Sequence, residues 1–139
     1  MMDTPHRARL RAELEAAAAG LPYLSEGEHG FEFVFVAGAG AGWPVEAREA
    51  AVRLGAPAGE RVGEVSIERF LAGHIEESDP EDPEAQRLRP RYEALRETLR
   101  RSLGNPRVVR VGEVEVACYL VGADEEGNLA GLRTVAVET

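Results

Sequence analysis

The sequence contains no lysine: all 16 of its basic residues are arginine, and 25 acids set against them leave a formal net charge of −9. A balance of that sign lacks the basic footprint that phosphate-backbone binding requires, so nucleic acid is not expected as a direct ligand. It suits a basic protein partner, or simple solubility. A single cysteine, Cys118, excludes an internal disulfide and any cysteine-cluster metal site. Because Cys118 alternates with valines, it is expected to pack rather than react. No run approaches the roughly 18 apolar residues of a membrane span. The N-terminal segment lacks the basic-then-apolar order of a secretory leader, since Ala16 to Ala19 follow Glu13 and Glu15. A cytoplasmic protein with no membrane partner is the expectation.

Catalytic groupings are missing too. The three histidines, His6, His29 and His74, stand in separate segments, and none pairs at helical spacing with another zinc ligand. There is no Gly-x-Ser-x-Gly elbow. The glycines of Gly38-Ala39-Gly40-Ala41-Gly42 are spaced one place too tightly for the dinucleotide pattern, and no Lys-Ser/Thr follows for a nucleotide triphosphatase. This stretch reads as a flexible loop, with a nucleotide or small-molecule site there as the lesser alternative. No cofactor and no enzymatic activity are expected.

The sequence present is that of one domain, with 139 residues and an apolar fraction of 44%. Its strongest pattern is the last. From Arg107, valines lead into Val114, Val116, Cys118 and Leu120, alternating with Glu115, Ala117, Tyr119 and Val121. Such period-two alternation predicts a strand with one face buried. Asp124 to Asn128 supplies turn chemistry, and Leu129 to Val137 returns as an antiparallel strand. Glu138 and Thr139 follow directly, which places the end of the sequence on a rigid element.

Upstream, Thr4-Pro5 opens a helix that carries Leu10, Leu14, Ala17 and Ala18 inward and stops at Gly20. Phe31 to Val36 (FEFVFV) is apolar at most positions and predicts a central strand. Pro44 opens a short helix to Leu54, with Trp43 as a lid over the core edge. Pro57 to Gly63 reads as a loop, and Ser66 caps a short helix running to about Ile75. The longest helix begins at Pro83 behind Asp82, with Leu88, Tyr92, Leu95, Leu99 and Leu103 forming its buried stripe and Pro90 as a point of kinking. Gly104-Asn105-Pro106 ends it. Helices interleaved with strands predict a layered α/β domain with a mixed sheet of about four strands flanked by helices.

Two loops are acidic. Leu21 to Gly30 carries Glu26, Glu28 and His29, and His74 to Pro83 (HIEESDPEDP) carries Asp79 among its acids. Each is either a solvated connection or a surface presented to a partner. The second has no calcium-loop spacing.

Arg110-Val111-Gly112-Glu113-Val114-Glu115-Val116, Tyr119-Leu120-Val121-Gly122, Gly127-Asn128, Ala130-Gly131-Leu132, Thr134 and Val137-Glu138-Thr139 together resemble the bacterial nuclease A inhibitor family, as does Leu24-Ser25-Glu26 ahead of Phe31. The resemblance implies an α/β/α sandwich. It also implies a protein that plugs a non-specific, magnesium-dependent DNA/RNA nuclease of the ββα-metal type. On this reading Glu26 enters the nuclease cleft and Thr139 reaches the partner's metal, with Glu28, Asp79 and Glu138 as flanking partner-binding residues. A terminal threonine offers a carboxylate and a hydroxyl, oxygen ligands of the kind magnesium takes. The family's loop tryptophan after the short helix has no counterpart between His74 and Pro83, and His29-Gly30 replaces its tyrosine–proline pair. The alternative is a binding module of the same fold with an unrelated protein partner.

Overall fold

The computed structural model describes residues 4–138. In chain order the elements are α1 (Pro5–Ala18), the short strands β1 (Tyr23–Leu24) and β2 (Glu28–His29), β3 (Glu32–Val36), α2 (Ala47–Arg53), β4 (Val62–Val65), and α3 (Ile67–Leu71) with a 3-10 turn at Ala72–His74. The chain continues with α4 (Pro83–Ser102), β5 (Gly104–Val111), β6 (Glu115–Ala123) and β7 (Leu129–Val137).

Three helices start where the capping chemistry puts them. The Thr4 hydroxyl accepts from the Arg7 N–H at 3.1 Å, that of Ser66 from the Arg69 N–H at 3.0 Å, and Asp82 from the Glu84 N–H at 3.0 Å. Each satisfies a donor that the first helical turn would otherwise leave unpaired. The helix α4 runs as one element through Pro90.

The sheet differs from expectation. It has five strands rather than about four, in the order β3-β7-β6-β5-β4, and every pairing is antiparallel rather than mixed. The additional strand, β4, lies where a loop was expected. Its four residues, Val62-Gly63-Glu64-Val65, are too few and too interrupted by glycine to show a period. They pair with β5 from Val62 opposite Val111 to Val65 opposite Val108. The FEFVFV strand sits at an edge rather than in the centre. Its apolar residues report cover above and below the sheet: Phe33 and Phe35 face one cluster and Val34 the other. That pattern says nothing about whether a strand lies on each side.

Alternation along the strands feeds two cores. On one face Val108, Val116, Cys118, Leu120, Leu132 and Ala136 pack beneath α1, α3 and α4. On the other, Val109, Val111, Val121 and Leu129 pack against Ala50 and Ala51 of α2. Both faces therefore carry helix, three on one side and a single short one on the other. The helix α2 begins at Ala47 rather than at Pro44, after a cis Trp43–Pro44 peptide. Trp43 lies half-buried against the α2-side cluster, with its ring N–H donating to the Asn105 carbonyl at 2.9 Å.

The glycine-rich loop is packed rather than free. Gly38 donates to the Asn128 side chain at 2.9 Å and Gly40 to the Gly127 carbonyl at 3.0 Å, so the loop rests on the β6–β7 turn. A Cβ on Gly40 would stand 2.5 Å from the Asn128 carbonyl oxygen. Close backbone approach accounts for this glycine without invoking a phosphate. Cys118 is fully buried, and burial pushes its thiol up to about 11, well away from a reactive thiolate.

Candidate functional site

The segment between α1 and β3 folds as a two-stranded hairpin, Tyr23 opposite His29 and Leu24 opposite Glu28, where a loop was expected. Its tip is Ser25-Glu26-Gly27, closed by the Ser25 N–H donating to the Gly27 carbonyl at 2.9 Å. The position of this hairpin follows from a mismatch in strand length. β7 spans nine residues, but β3 pairs only with Leu129 through Arg133. The outer edge of β7 beyond Arg133 would present unpaired backbone groups.

The hairpin covers that edge. The Val137 N–H donates to the Ser25 hydroxyl oxygen at 2.8 Å, and the Glu26 N–H donates to the Val137 carbonyl at 3.2 Å. Nearer β3, the Thr134 hydroxyl reaches the His29 carbonyl at 3.5 Å. The fit is close: a Cβ on Gly27 would fall 2.9 Å from Val137 Cγ2. The Glu26 tip and the end of the last strand therefore form one corner of the molecule. Glu138 follows directly, its N–H bonded to the Val114 carbonyl at 2.8 Å and its carboxylate paired with Arg110.

Aromatic packing supports the hairpin from its other side. The Tyr23 ring stacks on Phe70 with centroids 4.2 Å apart, and His74 lies 5.0 Å from Tyr23 and 4.5 Å from Tyr92. The Tyr92 hydroxyl donates to the Pro22 carbonyl. The Leu24 N–H donates to His74 Nε2 at 3.1 Å, so that nitrogen is the acceptor and the ring is neutral. Burial agrees, holding the His74 pKa below its ordinary value and pushing the Tyr23 and Tyr92 hydroxyls up to about 12.

Between this wall and the start of α4 is a cavity of about 450 Å³, bounded by Tyr23 and Leu24 on the hairpin side and by Asp79 and Asp82 on the other. Leu24 is half exposed, one of few large apolar side chains turned outward. Among the described residues no group of three or more His, Cys, Asp or Glu side chains converges to hold a metal ion. No described helix is long and apolar enough to cross a membrane.

The model of the nuclease A inhibitor-like protein family matches residues 8–139, nearly the whole sequence. The chain belongs to that family. No curated protein matches it.

In this member of the nuclease A inhibitor-like family, three of the five residues singled out from sequence lie on the hairpin or beside the strand end, and a fourth lies across the cavity from it. Glu26 is exposed at the tip, Glu28 is exposed on β2, and Glu138 adjoins the strand end. Asp79 is exposed across the cavity from Leu24. The fifth, Thr139, lies outside the described residues. Sequence reasoning missed three others: Ser25, which ties the tip to β7; Gly27, which allows the approach; and His74, which accepts from the hairpin backbone. A serine two places before a glycine is turn chemistry in any sequence. Nothing local announces that its hydroxyl bonds a strand 112 residues away.

Proposed function

We propose that this protein inhibits a non-specific, magnesium-dependent DNA/RNA nuclease by occupying its active site. Family membership supports the nuclease as partner. The observation that carries the mechanism is the Val137–Ser25 hydrogen bond, which holds the Glu26 tip and the last strand as one unit. In this reading Glu26 enters the phosphate-binding cleft as an anion, and Thr139 brings oxygen ligands to the partner's metal in place of water. Holding the tip against the last strand removes an ordering cost that a free loop would bear on binding. The protein itself supplies no catalysis and no metal, and touches the nuclease rather than its nucleic acid.

The test is a titration of such a nuclease with wild-type protein, with Glu26→Gln and with a short C-terminal extension beyond Thr139, reading residual DNA and RNA hydrolysis. Each change is expected to weaken inhibition about 30-fold or more, the range of an interface hot spot. Full inhibition by the extended protein would eliminate the terminal plug. No inhibition by the wild type would eliminate the nuclease reading.

The second reading is a binding module of this fold with an unrelated protein partner, favoured by the absence of tryptophan from residues 74–83. Capture from cell extract of a protein without nuclease activity, with Thr139 dispensable, would select it.

A further inference from the structure

We propose that the cavity between the hairpin and the start of α4 receives an arginine side chain of the partner protein. This deepens the inhibitor reading and rests on it for the identity of the partner, but the site itself stands on its own geometry. The wall is apolar and aromatic, built from Tyr23, Phe70, Leu88 and Tyr92. The rim is anionic: Glu77, Asp79, Asp82 and Glu84 stand there against one cation, Arg69. An anionic rim over an aromatic wall suits a cation carried on an apolar stem. A guanidinium fits better than an ammonium, because its plane stacks on rings while its edge donates to carboxylates in pairs.

The rim carboxylates retain capacity to accept. Asp79 and Asp82 each use Oδ1 for a backbone N–H, of Glu81 at 2.9 Å and of Glu84 at 3.0 Å. Glu77 forms no salt bridge among the described residues, whereas Glu84 is already held by Arg87. The rim is also fixed in place. The Gln86 amide donates to the Asp79 carbonyl at 2.9 Å and to the Ser78 hydroxyl at 3.3 Å, and Ser78 in turn donates to the Ile75 carbonyl at 3.0 Å. A rim held by α4 accepts a ligand with little reordering. The half-exposed Leu24 beside it gives the same partner an apolar contact next to the Glu26 tip.

The experiment titrates the full-length protein with Nα-acetyl-arginine amide, followed by amide proton–nitrogen NMR. The isosteric but uncharged Nα-acetyl-citrulline amide serves as the control. Saturable shifts at Gly73, Asp79 and Ala85 are expected with arginine, with a Kd of about 1–10 mM, the scale for one side chain. Citrulline should bind at least about fivefold more weakly, and the pair of changes Glu77→Gln and Asp79→Asn should weaken arginine binding by a similar factor. Absent or unlocalised shifts, or equal binding of citrulline, would overturn the proposal. In a parallel nuclease titration the double variant should lose about tenfold in affinity, while Glu26→Gln reports separately on the plug. If arginine saturates the cavity but wild type inhibits no nuclease, the site stands and the inhibitor reading falls. If inhibition is intact and arginine does not bind, the cavity assignment alone falls.

Discussion

The Ser25 hydroxyl oxygen accepts two backbone N–H groups, of Val137 at 2.8 Å and of Gly27 at 3.3 Å, and so fixes the hairpin tip to the sheet and the tip to itself. Removing it leaves the Val137 N–H without a protein partner at a strand edge that β3 does not reach. Ser25→Ala should therefore cost about 1 kcal/mol of stability, the net worth of one such bond where water has partial access. Its effect on inhibition should be larger, because the Glu26 tip loses its register against the last strand. The check is a pair of measurements on one variant: the urea midpoint and the inhibition constant. A stability loss of that size with unchanged inhibition would show that the tip needs no clamp. Asp124 does comparable work at the β6–β7 turn. Burial alone would raise its carboxyl, but hydrogen bonds from Asn128, His6 and Glu126 outweigh that and hold it below the usual carboxylate range.

At the scale of elements, the hairpin is held between β7 on one side and His74 on the other, and the second contact titrates. In the folded protein, burial keeps the His74 pKa below its ordinary 6.5, while in the unfolded chain it returns to that value. As the pH falls through 6.5 the unfolded chain takes up the proton first, so stability is present above that value and declines as the pH drops toward the lowered folded value. Protonation also removes the acceptor that Leu24 uses. His74→Gln, which retains an acceptor but does not titrate, should flatten the stability curve between about pH 5 and 7; denaturant midpoints across that interval check it. Tyr23 and Tyr92, pushed up to about 12, stay neutral throughout. An unchanged slope in the variant would assign the titration elsewhere. These same elements show how far the sequence could be read. The helices α1, α3 and α4 were legible because caps and a 3.6-residue stripe are local properties. The pair β6 and β7 was legible because alternation and a turn are local as well. The hairpin, β4 and the edge position of β3 were not, since two- and four-residue strands carry no period, and a strand's neighbours are decided by the rest of the chain. Of the candidate site, the acids could be found from residue type, but the aromatic wall behind them depends on Phe70, His74 and Tyr92 meeting Tyr23 in three dimensions.

Over the whole molecule, the charge of −9 is not evenly available. Six arginines on the helices and sheet pair with acids of other segments: Arg96 with Glu76, Arg100 with Glu68, Arg101 with Glu13, Arg107 with Glu64, Arg110 with Glu138 and Arg133 with Glu32. Exposed pairs of this kind contribute little stability each, but they cancel charge where they stand. Glu28, Glu77, Asp79, Glu81 and Asp82 form no salt bridge among the described residues, and they lie on the hairpin and the turn before α4, on the side proposed to meet the partner. These unpaired acids place part of the negative field on that side, where it would steer the encounter with a basic phosphate-binding cleft. Screening sets the expected size of the effect, since the Debye length shrinks from about 10 Å at 0.1 M salt to about 3 Å at 1 M. Raising salt from about 0.05 M to about 0.5 M should lower the association rate with the nuclease about tenfold or more, leaving the dissociation rate within about threefold. Stopped-flow mixing at four or so salt concentrations reads both rates. An association rate indifferent to salt would mean that the acidic corner does not guide the encounter, and that its charge serves only the bound state or solubility.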